Sequence, residues 1–224
     1  MKTKTQDAKV RKKFKPNEKT LAYIRRITMD AMLIALFLVL NTIGSIEINQ
    51  YMKITPASFA VIICATLYGP ADACIVAAGG EFLNQLLKYG FSPTMPLWMI
   101  PPTLRGLVIG LFALYMFKKG KYPEKRTVLF YITCIIGSIV TSAATTGVSY
   151  IDAKMYGYFN PTTFGISTAA RFTSSMFTAV ILATLSVPIC IGLRRAKIGI
   201  RLPASVPSED NQETVSYTHL TLPT

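Results

Sequence analysis

The sequence predicts an all-α integral membrane protein of six transmembrane helices with both termini in the cytoplasm, and three observations predict it. First, 51% of its 224 residues are hydrophobic and only 16% charged, with a mean hydropathy of +0.39, too apolar for a soluble domain of this length. Second, the apolar residues fall into about six runs near the roughly 20 residues that a helix needs to cross the hydrocarbon core. Third, the basic residues behind the formal net charge of +13 are clustered between those runs. Ten lie in residues 1–26, five in 118–126 and four in 194–201, nineteen of the 24 in all. Anionic lipid and the membrane potential both hold Lys and Arg on the cytoplasmic side. The clustering therefore argues for a membrane flank and against a nucleic-acid partner.

In chain order, residues 1–25 form a basic cytoplasmic arm and 26–195 a single membrane domain. The arm is not a secretory signal, because the apolar run after it is span-length and lacks a small-residue cleavage pattern. The first span is 27–44. The second and third, 54–68 and 71–87, are broken at Gly69-Pro70, where a glycine ends one helix and a proline opens the next. The fourth is 97–117, the fifth 127–148 and the sixth 164–193, with Pro188 near its end. Alternating the spans from a cytoplasmic N-terminus places all three basic clusters inside. The tail, 196–224, is polar, rich in Pro, Ser and Thr and without periodicity, so disorder is expected; 216–224 reads as an artefactual end.

Ionisable groups within spans are costly and so are functional candidates. Asp30 and Asp72 fall near the cytoplasmic ends of the first and third spans, where a carboxylate reaches water or a helix N-terminus. Glu81, Arg105 and Arg171 fall deeper. At about 1.5 Å per residue, Glu81 lies on the order of 16 Å up from the inside, and the arginines roughly 10–13 Å below the outer ends of their spans. Two cations and an anion at similar depth predict a cavity open to the outside, with Glu81 pairing one arginine and the other holding an anionic ligand. A structural ion-pair network locking the helices is the alternative.

The outward loops add Glu47, Asn49, Gln50, Tyr51 and Lys53, then Phe91 and Trp98, then Tyr150, Asp152, Tyr156, Tyr158, Phe159 and Asn160. Aromatic and amide groups suit a flat heterocycle, while an interfacial aromatic belt would draw on the same residues. Substrate contacts are accordingly expected from Glu81, Trp98, Arg105, Tyr150, Tyr156, Asn160 and Arg171. The cysteines 64, 74, 134 and 190 sit in apolar runs without metal-ligand spacing, and the one histidine, His219, is in the tail, so neither a metal nor a bound cofactor is expected. Ala31 and Ala35 form a small-xxx-small pair that admits close helix approach, by default within the chain.

Several of these residues together resemble the substrate-binding S component of an energy-coupling factor (ECF) vitamin transporter. They are Ala31 and Ala35 on the first helix, the Leu67-Tyr68-Gly69-Pro70 turn, Gly79-Gly80-Glu81-Phe82-Leu83, and the run from Leu104-Arg105-Gly106 to Gly110. The likeness covers about residues 25–195. It implies a multi-pass protein of a prokaryotic cytoplasmic membrane that binds a vitamin from outside, capped by the loop after the first helix. It also implies docking through Ala31 and Ala35 onto a membrane coupling subunit driven by two ATPases, with ATP used by those partners; the chain itself has no GxxxxGK[ST] phosphate loop. Met155-Tyr156-Gly157 followed by Ala170-Arg171-Phe172 is most like the folate-type members, with pantothenate and riboflavin as alternatives.

Two other classes compete. An intramembrane enzyme would need a catalytic constellation inside the spans, and the sequence offers no histidine there and only isolated carboxylates. A membrane scaffold or assembly protein would share the size and the basic flanks, but not the deep Glu81, Arg105 and Arg171.

Overall fold

The computed structural model describes residues 18–49, 52–196 and 198–199. The N-terminal arm before Glu18, Gln50, Tyr51, Lys197 and the tail from 200 onward, His219 included, lie outside them. Six helices and one hairpin follow in order: α1 (Glu18–Thr42), β1 (Ile46–Asn49), β2 (Met52–Ile54), α2 (Ser58–Tyr68), α3 (Pro70–Tyr89), α4 (Met95–Lys118), α5 (Thr127–Met155) and α6 (Pro161–Arg195). A single 3-10 turn, Pro123–Lys125, joins α4 to α5. Three of the helices, α4, α5 and α6, are each long and apolar enough to cross a membrane by length and composition alone. Polar and charged residues dilute the other two long helices: Arg25, Arg26 and Asp30 in α1, and Asp72, Glu81, Asn84, Gln85 and Lys88 in α3.

The second span departs from the sequence expectation. The apolar run beginning at Ile54 is not all helix: Ile54 pairs with Ile46 in the antiparallel hairpin, and α2 starts only at Ser58. With 11 residues α2 is about 16 Å long, roughly half of the 20-residue α3 that follows it. Pro56, whose ring offers no N–H, separates strand from helix. The residues from Ala60 to Leu67 are all buried, so α2 is the central post of the bundle, packed against α1, α3, α4 and α6.

The turn from α2 to α3 is as the sequence predicts. Gly69 has φ of 92°, a conformation that side-chain-bearing residues rarely adopt, and Pro70 opens α3 where a missing N–H costs nothing. Just above it α4 crosses α3 at very short range. A Cβ on Gly110 would stand 2.4 Å from the Pro70 Cα, and one on Gly106 would stand 2.9 Å from the Ala73 carbonyl oxygen. Small residues four apart let two backbones meet, and dispersion rather than the hydrophobic effect holds helices together in lipid.

One end of the bundle is basic. Arg25, Arg26, Lys118, Lys119, Lys121, Lys125, Arg126, Arg194 and Arg195 all lie there, which makes it the cytoplasmic end. Two ion pairs tie it together. Arg26 of α1 grips Asp72 in the first turn of α3 with two parallel bonds, Nε to Oδ2 at 2.5 Å and Nη2 to Oδ1 at 2.6 Å. Arg194, near the end of α6, donates through Nε to the buried Glu124 and through Nη2 to the Thr66 carbonyl at 2.8 Å. Its guanidinium also stacks over Tyr122 and Phe117, 4.3 and 5.1 Å from their ring centres.

Candidate functional site

Because α2 is short, space is left above its N-terminal end, and a cavity of about 620 Å³ occupies it. Glu81, Trp98, Arg105 and Arg171 all line this cavity. It continues outward into a lobe of about 420 Å³ bordered by Gln85, Tyr89, Trp98, Asp152, Tyr156 and Tyr158. It continues inward into a lobe of about 250 Å³ between α5 and α6, which shares Thr55, Ser58, Arg105, Thr141, Thr145 and Arg171 with the main chamber.

The charges do not pair as the sequence reading expected. Glu81 accepts from two amides of its own helix, Gln85 Nε2 at 2.8 Å and Asn84 Nδ2 at 3.1 Å. Residues three and four apart on a helix are neighbours, so these amides reach the carboxylate before any group across the cavity does. Arg105 donates instead to the hydroxyls of Thr141, at 3.2 Å, and Ser58. Arg171 donates to the Ser149 hydroxyl at 2.5 Å. Among the described residues neither arginine has a carboxylate partner. The cavity thus has two opposed characters. On α3, Glu81, Asn84, Gln85 and Lys88 lie at helical spacing and line the chamber. Across from them α4 and α6 contribute the guanidiniums, with hydroxyls around them.

Two further features mark the chamber as polar by construction. Asn84 is buried, and its Oδ1 has no donor among the described residues. Pro101 and Pro102 line the wall inside α4, and without N–H groups they leave the carbonyls of Leu97 and Trp98 without helix donors. Such backbone is tolerated at membrane depth where it borders a polar cavity.

Of the sequence-predicted contacts, Trp98 and Tyr156 lie on the outer lobe. Beside them Tyr158 donates to Asp152, and partial burial together with that bond and charge pushes its hydroxyl up to about 12, so it remains a donor. Tyr150 and Asn160 border none of the three lobes. Tyr150 is drawn into an edge-on aromatic cluster with Phe159 and Phe164, at 5.3 and 6.0 Å, and Asn160 caps α6 by accepting from the Thr162 N–H at 3.1 Å. Ala31 and Ala35 are exposed, so their pairing does not serve packing within the chain.

Residues 25–190 match the sequence profile of the ECF transporter substrate-specific component. The chain belongs to that family. A search among curated proteins finds no match. Among solved structures, the S component of a bacterial ECF transporter superposes with a TM-score of 0.55 at 19% identity, over 78% of this chain and 98% of that one, which shows the shared fold. The protein is therefore a multi-pass membrane S component. It binds a substrate for an ECF transporter, and it is a transport protein rather than an enzyme. Membership also implies an ECF module as its partner.

Proposed function

We propose that this S component captures a folate-like vitamin, a planar hydrogen-bonding heterocycle carrying carboxylates, from the outer face of the membrane. The observation that carries the reading is the bipolar cavity. Glu81 and the Asn84 Oδ1 offer acceptors to the N–H edge of a ring, Trp98 offers a flat face, and Arg105 and Arg171 are cations that no carboxylate among the described residues neutralises. A neutral flavin would leave both guanidiniums uncompensated, and pantothenate would leave the acceptor wall without a ring edge to bind. The test is thermal stabilisation of the detergent-purified protein, cut before Pro203, against folate, riboflavin, thiamine, biotin, pantothenate and queuosine precursors. Binding to the native state alone raises the melting temperature. A shift with folate supports the reading; a shift with another member, and none with folate, replaces it.

Delivery would follow by docking on the membrane coupling subunit with its two ATPases. The exposed pair Ala31 and Ala35 on α1 supports that route, since a smooth patch permits close helix contact. Ala31→Trp with Ala35→Trp should abolish co-purification of the ECF module while leaving ligand-induced stabilisation intact. Undiminished recovery of the module would place the docking surface elsewhere.

A further inference from the structure

The inner lobe carries an assignment of its own. Among the described residues every side chain bordering it carries a hydroxyl or a guanidinium, and none carries a carboxylate or an amide. From α5 come Ser142 and Thr145, from α6 Ser174, Ser175 and Thr178, while Arg105 and Arg171 stand where the lobe meets the main chamber. Ser142 and Ser175 already share a hydrogen bond at 2.7 Å, and Thr145 and Thr178 donate back to the carbonyls of Thr141 and Ser174. A hydroxyl that donates to its own helix keeps its oxygen lone pairs and can re-aim its proton, so the lining adapts to an incoming acceptor. The decisive point is charge. Two cations set into the bundle with only hydroxyl partners need an anion, and the protein supplies none among the described residues.

From this we infer that the inner lobe is the subsite for the dianionic end of the ligand. Two carboxylates enter first, one for each guanidinium, and the ring stays outward between Trp98 and the α3 wall. At about 250 Å³ the lobe has room for more than one carboxylate. Guanidiniums from two different helices also match two separated carboxylates better than one compact tetrahedral anion. The inference rests on the cavity being the ligand site proposed above and adds which end lies deepest and which residues select it.

The test is calorimetric titration of the full chain in detergent with folic acid, which has two carboxylates, pteroic acid, which has one, and glutarate and inorganic phosphate as bare anions. Folic acid should bind about tenfold more tightly than pteroic acid, the scale of one charge-assisted contact. Thr178→Val, at a position that borders only the inner lobe, should erase that preference while leaving the pteroic acid affinity within about twofold, and Thr178→Ser should keep it. Equal affinity for the two acids overturns the assignment. So does a valine variant that weakens both alike, or phosphate binding more tightly than glutarate. If neither pterin compound binds, glutarate decides between the two readings. Saturable glutarate binding lost in the valine variant keeps the subsite and rejects the folate-like reading, whereas no glutarate binding rejects the subsite as well.

Discussion

The arginines at the two levels of this bundle are treated in opposite ways. At the cytoplasmic end Arg26 and Arg194 each meet a carboxylate, Asp72 and Glu124, and Arg194 adds a carbonyl and two aromatic faces. In the cavity, among the described residues, Arg105 and Arg171 meet only serine and threonine hydroxyls. A paired charge contributes to holding helices in place, because its partner is lost if the helix moves. An unpaired one in a low-dielectric setting is a standing cost that a ligand can relieve. The difference sets arginines that hold helices together apart from arginines that the proposed function gives to the ligand.

The comparison can be broken by substitution at either level. The largest effect on stability should come from Arg194→Ala. It strands Glu124, which is only 3% exposed and already has one oxygen without a partner, and it frees the Thr66 carbonyl. Breaking one partner of a buried pair costs about 3 kcal/mol or more, to be read as a lower melting temperature, and replacing both Arg194 and Glu124 by leucine should restore much of it. A melting temperature unchanged by Arg194→Ala would show that this pair is not structural.

Next in size, Arg171→Ala and Arg105→Ala should weaken binding of the folate-like ligand proposed above by about 2 kcal/mol, roughly thirtyfold. They should leave the ligand-free melting temperature unchanged or raised, since an uncompensated charge is removed. Calorimetry and thermal melts on the same preparations check both halves; unchanged affinity in both variants, with folding preserved, would remove the anion site. Smallest is Arg26→Ala. Its guanidinium side chain is 47% exposed, so solvent screens the pair, but Asp72 at 5% is left buried, so the melting temperature should fall by less than in Arg194→Ala, with ligand affinity untouched.

Much of this was legible in the residues. The runs of Leu, Ile, Val and Ala set the helices, Gly69-Pro70 set the turn at the cytoplasmic end, and the isolated Glu81, Arg105 and Arg171 pointed to one cavity. What escaped did so for identifiable reasons. The stretch from Ile54 is apolar whether it forms strand or helix, so periodicity alone could not show that α2 begins at Ser58. Serines 142, 174 and 175 and threonines 145 and 178 read individually as small helix-packing residues, and only the meeting of α5 with α6 gathers them into one lining. Glu124 and Arg194 are 70 residues apart in sequence. Tyr150 and Asn160 have the right chemistry for a ligand, but each is taken up locally, by aromatic packing and by a helix cap.

The shortness of α2 also bears on how the protein is made. A span of 11 residues is too brief for an insertion machinery to hold across a bilayer by itself. The residues from Ala60 to Leu67, buried by other helices in the finished fold, stand against lipid until those helices arrive. It leaves the ribosome after α1 and before α3, α4 and α6, three of the helices that will enclose it. It must therefore enter the membrane as one arm of a hairpin with α3, hinged at Gly69, and become central only when α4 and α6 close around it. The vacancy above α2 that makes room for a ligand is thus also the mark of a helix that cannot be inserted alone.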